Sequence, residues 1–345
     1  MSQASLPRRT RTLGPLLLLA ALAFVSGCSP FYVARAGWAQ AKILSSRVPL
    51  TEVMTDPATD PEIRGKLRFV WDARNFAVEE LGFRNAGESY TSLAVLESDT
   101  LALVLSAAHQ DRLAFRTWWF PVAGRVPYRA YFSESGAIRA RDALAAEGFD
   151  THLRPTAAFS TLGWFADPLY STLLRLDDVG LVETVLHELA HNHLYLPGHG
   201  RFNESWASFA GHAASIQFFC TREGGGPDTV KCLRARDRWA DARTVSGHLM
   251  ELEEEIRHVL GRDDMEREAR LEERNRVYEE FRDRFRNEVQ PGLRASTYEY
   301  LAAQPLNNAT LLSRTLYFHR LEDFHRLWQV EWSGDLGGLL AWIRA

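Results

Sequence analysis

The chain has 345 residues, of which 46% are hydrophobic and 24% charged, a balance that excludes a disordered protein and leaves room for a sizeable core. A net charge of -4 and a pI near 6.3 provide no electropositive field, so nucleic acid is excluded as a partner class.

Residues 1–27 read as an address rather than as fold. Arg8, Arg9 and Arg11 form a basic start, and the apolar run 16–25 is too short to span a bilayer comfortably. The run ends in Val25-Ser26-Gly27-Cys28. Small residues directly before a cysteine resemble a bacterial lipobox, which implies removal of 1–27 and lipidation of Cys28. Acyl chains would then hold the mature chain to a membrane, each buried methylene contributing about 0.8 kcal/mol. The expected location is the cell envelope with the body outside the cytoplasm, in the periplasm.

Beyond Cys28, apolar residues at three and four spacing predict helices over 31–44 and 63–81, the second announced by Asp60 and Pro61. From residue 89 the pattern changes to period two and short apolar runs, predicting strands over 89–96, 101–106 and 115–120. Gly124 and Pro127 make 121–132 read as a turn-rich connection, and 135–147 reads as a helix stopped by Gly148. Helical spacing returns over 179–195, ends at Pro197-Gly198, and resumes from Asn203 to about 219. Cys220 and Cys232 flank a glycine-rich turn and could close a disulfide in an oxidising compartment or stay reduced. Two cysteines alone do not make a zinc site. Val245, Leu249, Leu252, Ile256 and Val259, then Tyr278, Phe281 and Phe285 after a break at 261–264, predict a charged helical hairpin. The tail from 305 is helical and aromatic-rich.

The chemistry-bearing motif is His187-Glu188-Leu189-Ala190-His191. On a helix, histidines four residues apart lie one turn above each other, so both imidazoles can bind one zinc ion while Glu188 reaches the metal-activated water. Catalytic zinc needs a third protein ligand and an open position. Glu204, in Asn203-Glu204-Ser205-Trp206-Ala207, supplies it once the Pro197-Gly198 break folds the second helix back. His193, His199 and His212 compete for that place; His193 points to another helix face and His199 lies in the loop.

HELAH followed by NESWA resembles the gluzincins, zinc peptidases whose third ligand is a glutamate on the helix after HExxH, although the gap here is shorter. With Phe69-Val70-Trp71-Asp72-Ala73-Arg74, Pro121-Val122-Ala123-Gly124, Val126-Pro127-Tyr128-Arg129 and Ser160-Thr161-Leu162-Gly163-Trp164-Phe165-Ala166-Asp167-Pro168, these blocks resemble the predicted aminopeptidase family of bacterial lipoproteins. The resemblance covers most of the mature chain and implies a peptide substrate and aminopeptidase activity.

The expected mechanism has Glu188 as general base toward water and then as acid toward the leaving amine. Tyr128, Tyr131, Tyr170, Tyr195 and Tyr317 are candidate oxyanion donors, with Tyr128 preferred. Glu183 and Ser208, one turn from His187 and Glu204, are candidates to support the ligands. Residues 161–165 could form an edge strand for a peptide substrate, with Gly163 and Trp164 contacting it and Asp167 meeting its ammonium. Two other readings stay open: an envelope endopeptidase with the same site, and a catalytically idle zinc lipoprotein that binds a partner through its hairpin. The expected fold is α+β and predominantly helical, a small sheet packed on a zincin-like helix pair. Residues 28–232 form the catalytic region, and 233–345 a helical region packed on the same unit.

Overall fold

The computed structural model describes Trp38 and residues 43–344, except 97, 99, 121–123 and 157–165. The expected segment 1–27, Cys28, Gly163, Trp164 and most of the expected helix 31–44 therefore lie outside the described residues.

Strand β1 (Val48–Pro49) runs into helix α1 (Leu50–Thr55), and α2 (Pro61–Glu79) follows. Asp60 caps α2 by accepting from the backbone N–H groups of Glu62 at 2.8 Å and Ile63 at 3.2 Å, with Pro61 at the first helical position where no N–H is needed. The face bearing Leu67, Val70, Ala73 and Ala77 is fully buried.

The strands divide into three small sheets among the described residues. In the first, β2 (Ser92–Ala94) lies between β1 and β8 (Leu169–Tyr170). In the second, β3 (Ala102–His109) lies between β6 (Tyr128–Tyr131) and β7 (Phe149–Thr156), antiparallel to both, with Ser106 opposite Tyr128 and Val104 opposite Arg154. The third pairs β4 (Trp118–Phe120) with β5 (Gly124–Val126). The turn-rich connection expected over 121–132 is thus corrected to two strands. Gly124 and Pro127 mark their boundaries instead, Gly124 by its φ of +71° and Pro127 by sitting between β5 and β6, where no ladder N–H is lost. Strand β7 was not anticipated; it is an edge strand, which is what allows Pro155 within it.

Helix α3 (Glu134–Ala146) covers the second sheet, and its end at Gly148 (φ +84°) matches the expected stop. Helices α4 (Asp178–His193) and α5 (Gly200–Thr221) then pack along one another as the central pair. The hairpin is present as α6 (Val230–Leu260) and α7 (Arg267–Arg284), joined through a core of Val245, Leu249, Ile256, Tyr278 and Phe281. Four short helices complete the chain: α8 (Glu299–Ala303), α9 (Asn308–Tyr317), α10 (Leu321–Arg326) and α11 (Leu336–Trp342). One core joins α1 and α2 to the α4–α5 pair, to the start of α6 and to Leu321, Leu336 and Leu340 near the C-terminus. The protein is therefore α+β and predominantly helical. Among the described residues no helix is long and apolar enough to cross a membrane.

Helix α9 packs on both the second sheet and α5, and so bridges them. Between sheet and helix pair lies a cavity of ≈ 680 Å³.

Candidate metal centre

Helix α4 starts at Asp177, whose carboxylate accepts from the Gly180 N–H at 2.9 Å, and its buried residues bring His187 and His191 to the side facing α5. The close approach of the two helices depends on Gly211: a Cβ there would lie 2.9 Å from the Glu183 carbonyl oxygen and 3.1 Å from the backbone nitrogen of His187. The ligand atoms of His187, His191 and Glu204 all lie within 4.8 Å of one another. Glu204 Oε2 is 3.5 Å from His187 Nε2 and 3.4 Å from His191 Nε2.

These separations fit a divalent ion. Two ligand atoms at zinc's usual 2.0–2.1 Å, at tetrahedral angles, stand about 3.3 Å apart. Two imidazole nitrogens and one carboxylate oxygen, partly buried, are also the donor set that zinc accepts in open sites. Burial alone would lower His191 and raise Glu204, but their mutual attraction outweighs it, moving the histidine up and the glutamate well below the usual carboxylate range. Glu188 shares the cavity wall with His191 and Glu204. Burial raises its pKa, the neighbouring histidines oppose this, and Glu204 and Asp167 add to it.

The three residues Asn203, Glu204 and Ser205 work in sequence. The Asn203 side chain exchanges two 2.8 Å hydrogen bonds with the backbone of Leu196, fixing the loop between α4 and α5. Ser205 donates to the Leu316 carbonyl at 2.8 Å and accepts from the His319 N–H at 3.1 Å, tying α5 to the end of α9. Glu204 is thus held between two anchored neighbours. Neither anchor was visible from sequence, because each partner lies on another loop or element.

Of the five candidate tyrosines, Tyr128, Tyr195 and Tyr317 line the cavity. Tyr131 packs in the sheet core, and Tyr170 is buried in β8. The Tyr317 ring stacks on His187 with centroids 6.0 Å apart, and its hydroxyl accepts from Arg154 at 3.2 Å. Burial, with the Glu204 charge added, raises both Tyr128 and Tyr317, so both stay protonated as donors. Arg154 is a cavity residue that the sequence reading did not single out. Nor did it single out Tyr90 near the base, a core residue: buried, at φ +61°, with its N–H donating to the Asp167 carbonyl at 2.7 Å and its phenol raised by burial and then by Glu188.

Glu183 turns away from the ligands toward Arg238 (2.8 and 3.1 Å) and His212 Nδ1 (3.1 Å). His212 thus faces the Glu183 carboxylate at ion-pair distance. His193 is occupied, accepting from the Arg84 N–H at 3.0 Å through Nδ1 and facing the Leu340 carbonyl at 3.1 Å through Nε2. His199 precedes α5 and is exposed. Ser208 is half-buried on α5. Asp167 is buried, its N–H donating to the Ser89 hydroxyl at 3.2 Å, and it is not among the described residues lining the cavity. Cys220 and Cys232 form a disulfide that joins the end of α5 to the start of α6.

Fold and site together define a helical α+β protein with a His₂Glu group that could bind a metal, placed at a cavity beside the half-buried carboxylate of Glu188. A family model described as "Putative aminopeptidase" matches residues 31–342, and the chain belongs to that family. No curated protein and no solved structure matches it.

Proposed function

We propose that the protein is a zinc-dependent aminopeptidase of the bacterial cell envelope, tethered by a lipidated Cys28. The observation that carries the reading is the convergence of His187, His191 and Glu204, the last two on the cavity that Glu188 also lines. When bound there, zinc supplies a Lewis acid that acidifies water and polarises the scissile carbonyl. Glu188 takes the proton from water and delivers it to the leaving amine; a carboxylate whose pKa is raised by burial is suited to holding a proton between those two steps. Tyr128 and Tyr317 present phenol protons to the carbonyl oxygen. The Tyr317 hydroxyl accepts from Arg154, which leaves its own proton to donate.

The exopeptidase direction is supported by the family and by the two carboxylates, Glu188 and Glu204, on the cavity wall, a negative field that draws a substrate ammonium. Purified protein should contain one zinc per chain and lose it on Glu204→Ala. Glu188→Gln should keep the metal while hydrolysis of unblocked peptides falls by about a hundredfold or more. Hydrolysis unaffected by acetylating the substrate N-terminus would sink the aminopeptidase assignment, and membrane retention of Cys28→Ser would sink the anchor.

A further inference from the structure

Charge is divided along the cavity. Its acidic lining residues, Glu188 and Glu204, sit at the metal centre, whereas its arginines are Arg125, Arg154 and Arg201. Arg201 is committed to the buried Glu253 at 3.0 Å. Arg154 is not: its guanidinium donates to the Tyr317 hydroxyl and lies 5.7 Å from that ring, and it makes no ion pair with a carboxylate among the described residues. Behind it stands Arg314, stacked on Tyr300 at 3.8 Å, with a buried Nε that has no partner and no carboxylate in contact among the described residues. The nearby His152 adds no further positive charge, since burial, then Arg314 and Arg154, depress it to about 3 and leave it neutral.

Partly buried cations without a counter-ion are costly, and a fixed guanidinium fork matches a carboxylate in shape and charge. One tyrosine side chain separates this fork from the metal ligand His187. An extended peptide covers that reach with two or three residues at about 3.3–3.6 Å each.

Building on the peptidase reading above, we infer that Arg154 binds a substrate carboxylate just beyond the scissile bond, so the preferred substrates are short peptides with a free C-terminus or peptides with an acidic residue there. Arg154 recognises the leaving side of the peptide, while the metal end takes the amino side. The apolar wall of Val104, Phe115, Leu312 and Leu316 accommodates the intervening side chains.

The test compares leucyl-glycine and leucyl-glycyl-glycine, each as free acid and as amide, together with leucyl-aspartyl amide. The zinc-loaded protein should show kcat/KM about tenfold or more higher for the acid of at least one length, as a charge-assisted bond predicts. Recovery of the rate with leucyl-aspartyl amide would show that a side-chain carboxylate also serves. In Arg154→Met the acid-to-amide ratio should fall to about one, and in Arg154→Lys it should be intermediate. A wild-type ratio near one at both lengths, or a ratio that survives Arg154→Met, would overturn the proposal. Should Arg154→Met not fold, the wild-type ratio and Arg154→Lys decide.

Calorimetric binding of the same acids and amides to Glu188→Gln separates this inference from the peptidase reading. Acid-selective binding without wild-type hydrolysis would leave the carboxylate site standing and remove the peptidase. Hydrolysis without acid selectivity would do the reverse.

Discussion

Gly211 on α5 comes so close to His187 on α4 that a single methyl group at Gly211 would stand 3.1 Å from the His187 backbone nitrogen. The candidate ligand is therefore positioned by the absence of a side chain on the opposite helix. Gly211→Ala should push the helices apart, costing about 1–3 kcal/mol of stability and lowering zinc affinity about tenfold or more. Gly247 on α6 is the control: it has nothing within 4 Å of its would-be Cβ, and Gly247→Ala should raise stability by about 0.5–1 kcal/mol. Urea titrations and zinc competition assays would check both; equal effects at the two positions would refute the close-approach argument.

Glu183 sets a pH dependence. Burial opposes its ionisation, but His212 and Arg238 outweigh this and hold the carboxyl well below its usual range. A folded pKa below the unfolded value of about 4.3 means that the stabilisation is fully present above that value and is lost as pH falls through the folded pKa. Glu183→Gln should destabilise the protein at pH 7, with the gap to wild type narrowing below about pH 4. Parallel denaturation curves between pH 3 and pH 7 measure it, and a gap that stays constant would refute the assignment.

The Cys220–Cys232 bridge closes a loop of sequence separation 12. Replacing both cysteines by serine should lower stability by about 3 kcal/mol, chiefly by freeing the unfolded chain. Zinc content of the folded fraction should be retained, since the bridge lies at the far end of α5 from Glu204. A thiol titration of the unfolded wild-type protein that finds both residues free would exclude the bridge.

Asp241, 3% exposed on α6, accepts backbone hydrogen bonds from Arg294 at 3.0 Å, Ala295 at 2.7 Å and Ser296 at 3.0 Å. Asp241→Ala leaves all three N–H groups without their acceptor and should cost about 2–4 kcal/mol. Hydrogen exchange should report the change first at 294–296, and unchanged protection there would contradict the anchoring role.

The central helix pair was legible because its signals are local. Spacing placed His187, Glu188 and His191 on one helix, and Pro197-Gly198 marked the break before Glu204. The hairpin showed in the apolar stripe from Val245 to Val259 for the same reason. Strand β7 did not show, because Asp150, His152, Arg154 and Pro155 carry little strand preference and are held by pairing with β3, a partner about fifty residues away in sequence. The Tyr317–Arg154 contact is longer-range still, joining residues 163 apart, and no periodicity encodes it. The partner of Glu183 was not legible either: helical spacing places the residue one turn before His187, but Arg238, to which its carboxylate is bound, lies 55 residues on.

The cavity lined by Glu188, His191 and Glu204 also takes Leu312, Leu316 and Tyr317 into its wall, more than a hundred residues further along the sequence. During synthesis the candidate ligands therefore emerge more than a hundred residues before part of the surface around them. A chain cut before Leu312 would keep all three candidate ligands and lack part of the wall that encloses them.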